Sequence, residues 1–139
     1  MRLFIASLSL LALAGCSSYQ AKESDSVPAE RLLGFQQDNG ASAKVEVARD
    51  LGFLGGGCMI ALQIDRQPAA LIAVGESASF HLPPGQHIVG IGIDDKGPGL
   101  CSRGHLRREL AVDLTSGQTA QLRILSDANS GFDILPAQR

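Results

Sequence analysis

Cysteine and histidine side chains are the groups of this 139-residue chain that are best suited to covalent, metal-binding or acid–base chemistry. The chain contains three of each: Cys16, Cys58, Cys101, His81, His87 and His105. A cysteine thiol can be acylated, oxidised to a disulfide or bound to a metal. The compartment of the protein and the neighbours of the thiol decide which of these occurs.

Cys16 ends a short apolar segment at the N-terminus. Met1-Arg2 carries positive charge, and the segment from Leu3 to Leu13 is apolar apart from Ser7 and Ser9. It is shorter than the roughly 20 residues of a membrane-spanning helix and is typical of a secretory signal. Its last residues, Leu-Ala-Gly-Cys, resemble the lipobox of bacterial lipoproteins.

This resemblance implies that residues 1–15 are a signal peptide and that the mature chain begins at an acylated Cys16. Each buried CH₂ of an acyl chain contributes roughly 0.8 kcal/mol, so two or more chains anchor a protein stably. Ser17 follows the cysteine where an Asp often favours the inner membrane. We therefore expect a lipid-anchored protein on the periplasmic side of the outer membrane.

Cys58 and Cys101 would then lie in an oxidising compartment, which favours a disulfide between them. A loop of this length gives a stabilisation of at most roughly 4 kcal/mol in the chain-entropy description. The alternative is a metal site formed by Cys58, Cys101 and His105. A Cys-x₃-His spacing is unusual for zinc, so we expect the disulfide and no bound metal or other cofactor.

Arg103, His105, Arg107 and Arg108 form the local basic cluster of an otherwise acidic chain, whose formal net charge is −2. Such a cluster can bind an acidic protein, a lipid phosphate or a cell-wall carboxylate. The alternative is a solvated loop whose charges are balanced by Glu109 and Asp113. The net negative charge argues against a nucleic-acid partner, because proteins that bind nucleic acids carry a basic face.

Three other patterns do not fit a known site well. Gly52 to Gly57 lacks the spacing of a phosphate-binding loop and leads into a strand. Asp127, Asn129 and Asp133 alternate as calcium ligands do, but the required glycine is misplaced and no bidentate glutamate follows. His81 and His87 lie on strands with no nucleophile or acid placed beside them, so we expect no enzymatic activity.

Alternating apolar and polar residues predict strands through most of the chain. Examples are Ala43-x-Val45-x-Val47, Ile60-x-Leu62-x-Ile64 and Phe80-x-Leu82, with turns at Asp65–Pro68 and at Pro83–Gly85. Residues 16–42 are predicted as a tether followed by a possible short helix at Pro28, capped by Ser26. Residues 43–139 are predicted to form an all-β domain, a single antiparallel sandwich of seven to eight strands.

Three sequence motifs resemble those of small bacterial lipoproteins of uncharacterised function. They are Val47-Ala-Arg-Asp50 followed by Gly55-Gly-Gly-Cys58, Ile64-Asp65 before Pro-Ala-Ala, and Phe80-His-Leu-Pro-Pro-Gly-Gln-His87. The sandwich of those lipoproteins is similar to PEGA-type domains, and the likeness spans roughly Lys44 to Leu125. It implies a sandwich in which Cys58 and Cys101 join two ends. It brings no catalytic residue.

Together these observations lead us to expect a non-enzymatic structural or interaction module of the cell envelope. Its partners would be the membrane, through the N-terminal lipid, and an envelope protein. A periplasmic inhibitor or immunity-type protein that blocks an enzyme through one loop is the alternative. A small hydrolase or metal-handling protein fits the sequence least well.

Overall fold

The computed structural model describes residues 18–52, 57–127 and 131–137. Within these ranges the chain forms nine strands: β1 (Asp25–Ser26), β2 (Ala43–Arg49), β3 (Ile60–Ile64), β4 (Gln67–Ile72), β5 (Glu76–Leu82), β6 (Gly85–Ile93), β7 (Arg108–Leu114), β8 (Thr119–Asp127) and β9 (Gly131–Pro136). Two 3₁₀ helices, Ala29–Arg31 and Gly99–Arg103, complete the described structure. Neither helix is long and apolar enough to cross a membrane.

The strands form two sheets that enclose one core. The first sheet has the order β1-β5-β2-β8-β9 and the second the order β4-β3-β6-β7. The all-β class is therefore confirmed. Eight strands, β2 to β9, lie in the described part of residues 43–139, and the two-residue β1 in the predicted tether brings the count in the described ranges to nine. The expectation of a purely antiparallel arrangement is wrong, since β1 is parallel to β5 and β2 is parallel to β8. Period-two alternation identifies strands but does not specify which strands become neighbours.

The core consists mainly of aliphatic side chains, as the alternation predicts. The inward positions of β2, β3, β5, β7 and β8 are buried, and Phe80 is the largest fully buried side chain. Full burial of one such side chain stabilises a protein by roughly 1.5–3 kcal/mol. The buried apolar residues of these five strands are Ala43, Val45, Val47, Ile60, Leu62, Ile64, Phe80, Leu82, Val112, Leu114, Leu122 and Ile124.

Residues 18–27, predicted as part of a flexible tether, instead make backbone hydrogen bonds to the sandwich. The N–H of Ser18 donates to Ser126 O at 2.8 Å, and Tyr19 and Leu51 exchange two bonds of 2.9 Å. Val27 is buried, and its N–H donates to Ser77 O. This pairing covers the outer edge of β5, whose backbone groups would otherwise lack partners.

The segment that follows covers the edge of the second sheet as well. Pro28 precedes the 3₁₀ helix Ala29–Arg31, which has no side-chain cap, and Ser26 belongs to β1 and is not the predicted cap. The N–H of Leu33 then donates to Ala69 O of β4 at 2.8 Å. The N-terminal segment thus closes one open side of the sandwich.

The strand directions give the sandwich two ends. We call one the disulfide end, because it contains Cys58, Cys101 and the loop of residues 94–107 between β6 and β7. The other is the turn end, which contains the Asp65–Arg66 turn and the Pro83–Pro84 connection. Asp65 and Arg66 have φ values of 50° and 64°, as a two-residue hairpin turn of the I′ type requires.

Candidate functional site

Cys58 and Cys101 form the expected disulfide, with their Cα atoms 5.5 Å apart. The bond joins Cys58, two residues ahead of β3, to the loop between β6 and β7. Both cysteines therefore lie at one end of the sandwich, and the expectation that they join two ends is wrong. Two sulfurs bonded to each other cannot act as separate thiolate ligands, so the alternative metal site with His105 does not form. Nowhere in the described ranges do three or more His, Cys, Asp or Glu residues group as metal ligands would.

Arg49 crosses the disulfide end from one sheet to the other. Its side chain extends from β2, and Nη1 donates to Cys58 O at 2.8 Å and to Ile72 O at 2.9 Å. The guanidinium also lies over the Phe132 ring, 5.3 Å from its centroid. Arg49 is 3% exposed. Desolvation lowers its pKa to about 10, and the charge of Glu76 opposes that shift. The residue remains a cation and acts as a polar connection between the two sheets.

Two further ion pairs stabilise this end. Arg31 and Glu76 form a bidentate pair with N–O distances of 2.7 and 2.5 Å. The hydrogen bond from Arg31 lowers the pKa of Glu76 below its ordinary value, although burial opposes the shift. Arg123 and Asp50 form a second bidentate pair with both distances at 2.6 Å. Bidentate geometry is the strongest arrangement for such pairs.

Ser18 attaches the start of the described chain to the second of these pairs. Its Oγ donates to Asp50 Oδ2 at 3.1 Å and accepts the N–H of Ser126 at 2.8 Å. The backbone N–H of Ser18 donates to Ser126 O. The chain therefore enters the sandwich at the disulfide end, and Ser18 is fixed there by three hydrogen bonds.

The predicted basic cluster also lies at the disulfide end. Arg103, His105, Arg107 and Arg108 are all exposed. Arg107 pairs with Glu109 at 3.0 Å, but its side chain is 75% exposed. An exposed pair of this kind contributes roughly 0–1 kcal/mol to stability. These cations are therefore available for binding.

A shallow groove brings part of this cluster together with residues that the sequence did not indicate. The groove lies on the outer face of the second sheet and has a volume of about 440 Å³. Gly90 and Gly92 of β6 form its floor, and its walls include Gln63, Arg66, Arg107, Arg108 and Glu109. Arg103 and His105 do not line it.

The space around the two floor glycines, Gly90 and Gly92, differs. A Cβ on Gly92 would lie 3.2 Å from Leu106 O, a tight contact that favours a glycine there. A Cβ on Gly90 would meet nothing closer than the Glu109 Cγ at 3.5 Å. The bare surface at Gly90 is therefore not explained by packing, and it allows a ligand to approach the backbone closely.

At the turn end, His87 and Asp65 form a pair that the sequence did not predict. His87 Nδ1 lies 2.7 Å from Asp65 Oδ2, and Nε2 lies 2.7 Å from Pro83 O. Burial lowers the pKa of His87, but its bonds to Asp65 and Pro83 raise the pKa above its ordinary value. Burial raises the pKa of Asp65, and its bonds from His87 and Ile88 N–H more than offset this, so the net direction is downward.

The pair does not resemble a catalytic dyad. Both ring nitrogens face oxygen acceptors within the protein, so the imidazolium form satisfies both, and neither nitrogen is positioned to take a proton from a substrate. The contacts connect the β3–β4 turn, the β5–β6 connection and the start of β6. The pairing of Ile64 with Val89 brings Asp65 beside His87, and this register could not be deduced from alternation.

The remaining predicted residues show no arrangement for chemistry. His81 Nδ1 is buried without a hydrogen-bond partner in the described structure. The Asp133 carboxylate accepts the N–H of Ile134 at 2.8 Å. Cys16, residues 53–56 of the Gly52–Gly57 loop, and Asn129 lie outside the described residues. Lipidation at Cys16 therefore stays a prediction, and the structure does not test whether Asp127, Asn129 and Asp133 bind an ion.

Comparison of the chain with models of known protein families and with curated proteins finds no match. The likeness to PEGA-type lipoproteins therefore remains a hypothesis from the sequence motifs.

Proposed function

We propose that this protein is a bacterial lipoprotein, anchored through Cys16 to the periplasmic side of the outer membrane, that binds another envelope component without catalysing a reaction. The observation that carries the binding role is the groove with a glycine floor and exposed arginines. Its flat, open shape suits an extended or planar acidic ligand better than a small substrate, which binds in a concave pocket.

The anchor is supported by independent features of the chain. The apolar N-terminal segment and Leu-Ala-Gly-Cys supply the lipidation signal. The disulfide between Cys58 and Cys101 is the state favoured in the oxidising compartment to which such a signal leads. Ser18, two residues after Cys16, is fixed at the surface of the sandwich, so a lipid at Cys16 would hold the domain against the membrane.

The absence of catalysis is supported by how the buried polar groups are used. Arg49, Asp50, His87 and Ser126 are the buried polar residues of the described structure. Each makes hydrogen bonds that connect strands or turns. Enzyme sites, in contrast, direct perturbed ionisable groups into a cleft. The exposed cations at the groove remain the groups most available to a partner.

An acidic envelope protein is the partner that best matches this surface. Arg66, Arg107 and Arg108 on the groove walls can each donate paired hydrogen bonds to a carboxylate. Glu109 also lies on a wall and pairs with Arg107 in the unbound protein. A competing carboxylate from a partner would exchange with Glu109, which costs little because that pair is solvent-exposed.

Crosslinking in intact cells tests the binding role. A photoreactive residue at Gln63 in the groove should yield a specific adduct, and Arg107→Glu with Arg108→Glu should abolish it. Lys44→Glu is the matched control, because Lys44 is an exposed cation on β2 of the other sheet. An adduct that survives both groove substitutions would rule out the groove as the binding site.

Metabolic labelling with radioactive palmitate tests the anchor separately. The wild-type protein should carry the label and sediment with outer membranes. Cys16→Ala should carry none. A wild-type protein that takes up no palmitate contradicts the anchor, whatever the crosslinking experiment shows.

A further inference from the structure

We infer that the disulfide end faces the membrane, with Leu100 and Tyr19 in contact with the lipid headgroup layer. This inference rests on the proposed anchor at Cys16 and adds an orientation to it. The groove and its arginines then lie on a side face of the sandwich, where a partner can still reach them.

The length of the connecting chain determines the orientation. Ser18 is fixed at the disulfide end by its bonds to Asp50 and Ser126. From Cys16 to Ser18 the chain spans at most roughly 7 Å, even when fully extended. A strand such as β6, with 9 residues, is about 30 Å long. The lipid would therefore hold the disulfide end beside the membrane unless residues 18–27 detach from the sandwich, and the turn end lies a strand's length away from this attachment.

Exposed apolar side chains occur where this orientation requires them. Leu100 is 79% exposed and Tyr19 is 63% exposed, the two highest values among the large apolar side chains of the described residues. Leu100 lies in the 3₁₀ helix beside the disulfide, and Tyr19 follows Ser18. Tyrosine suits a membrane interface because its ring is apolar and its hydroxyl is polar.

Charge supports the same assignment. Lys96 and Arg103 flank Leu100 in the loop between β6 and β7, and both are exposed. Such cations are attracted to anionic headgroups, and their long stems can lie along an apolar surface. Asp94 and Asp95 in this loop offset two of its three cations, and the third cation is Arg107. The combination of an apolar tip and flanking cations matches an anionic bilayer surface better than it matches solvent.

Fluorescence quenching tests the orientation, because the chain contains no tryptophan. Leu100→Trp is compared with Ser116→Trp, which places the probe in the exposed turn between β7 and β8 at the turn end. Each lipidated protein is reconstituted into vesicles of phosphatidylglycerol and acyl-brominated phosphatidylcholine. We expect several-fold stronger quenching in Leu100→Trp than in Ser116→Trp.

The outcomes separate this inference from the proposed anchor. Equal quenching in the two proteins, or stronger quenching in Ser116→Trp, overturns the orientation while palmitate on Cys16 leaves the anchor intact. A protein without palmitate overturns both. Since both substituted positions are exposed, we expect the two variants to unfold cooperatively like the wild type.

Lysine modification gives a second test that needs no substitution. Lys96 lies at the disulfide end, and Lys44 lies at the start of β2, at the turn end. In the wild-type lipoprotein, vesicle binding should slow the reaction of Lys96 with an amine-specific reagent several-fold relative to detergent and leave Lys44 unchanged. Equal protection of the two lysines contradicts the orientation.

Discussion

The disulfide end contains a covalent bond between two segments of the second sheet, a buried arginine that joins the two sheets, and two bidentate ion pairs. At the turn end the corresponding connections depend on His87, Asp65 and short turns. Desolvation lowers the pKa of Arg49 only to about 10, so this residue is a cation at neutral pH. At the turn end, burial lowers the pKa of His87 but its bonds to Asp65 and Pro83 raise the pKa above its ordinary value, so this connection weakens as the pH rises. We therefore expect the disulfide end to be the more stable part of the sandwich, as suits the end that would be attached to a membrane.

Removal of the disulfide should give the largest loss of stability and so reduce the difference between the two ends. We expect the double variant Cys58→Ala with Cys101→Ala to lose about 2–4 kcal/mol of the free energy of unfolding, because the unfolded chain gains freedom. Urea denaturation followed by circular dichroism measures this. A loss below about 1 kcal/mol would mean that the non-covalent contacts alone hold this end.

Arg49→Met should give the second-largest loss in the free energy of unfolding. The substitution leaves the carbonyls of Cys58 and Ile72 without their donor, and unsatisfied buried groups cost about 1–3 kcal/mol each. We expect a total loss of about 2–3 kcal/mol, measured by the same denaturation. Lys44→Met is the control, since Lys44 is an exposed cation on the same strand and should lose less. An equal or larger loss in Lys44→Met would contradict the role of Arg49 as the main polar connection between the sheets.

His87→Gln tests the turn end and should cost about 1 kcal/mol, because the Asp65 carboxylate that it bonds is partly exposed. The raised pKa of His87 implies stabilisation that is complete below about pH 6.5 and is lost as pH rises through the folded-state pKa. The lowered pKa of Asp65 implies stabilisation that is present above about pH 3.9 and is lost on acidification.

The stability difference between wild type and His87→Gln should therefore be greatest between about pH 4 and 6.5. Unfolding free energies measured from pH 3 to pH 9 on the two proteins give this difference directly, and contributions from other groups cancel. A difference that is constant across this range would show that the pair does not titrate as its contacts imply.

Arg107→Ala should give the smallest effect, a change in the free energy of unfolding below about 0.5 kcal/mol. The side chain is exposed and its pair with Glu109 is solvated. Arg107 lies at the disulfide end but should contribute little to its stability. A residue of this kind can serve binding without serving the fold. Denaturation and partner crosslinking on the same variant make that distinction. A loss in the free energy of unfolding comparable to that of Arg49→Met would show that Arg107 stabilises the fold.

Local sequence pattern predicted the strands well. Inward residues such as Val45, Leu62 and Phe80 could be identified because each strand buries one face and exposes the other. The Asp65–Arg66 turn could also be placed, since polar residues interrupt two apolar runs there. The disulfide followed from the compartment and from the number of cysteines that remain after Cys16.

Long-range relations could not be predicted from the same pattern. The parallel pairing of β2 with β8 joins segments about 75 residues apart, and alternation is identical for parallel and antiparallel neighbours. Residues 18–27 are mostly polar, a composition that predicts a flexible tether. The backbone of Asp25 and Val27 nevertheless pairs with the edge of β5. The Asp65–His87 pair and the presence of Arg66 and Arg107 on the same groove depend on strand register, which the sequence leaves open.

The mass of the intact mature protein, measured before and after reduction, tests the central claim most directly. We predict a chain that begins at Cys16, carries a diacylglycerol and an amide-linked acyl group, and gains two hydrogens on reduction. A chain that begins at any other residue, or that carries an unmodified Cys16, would contradict the anchor and the membrane-facing orientation together.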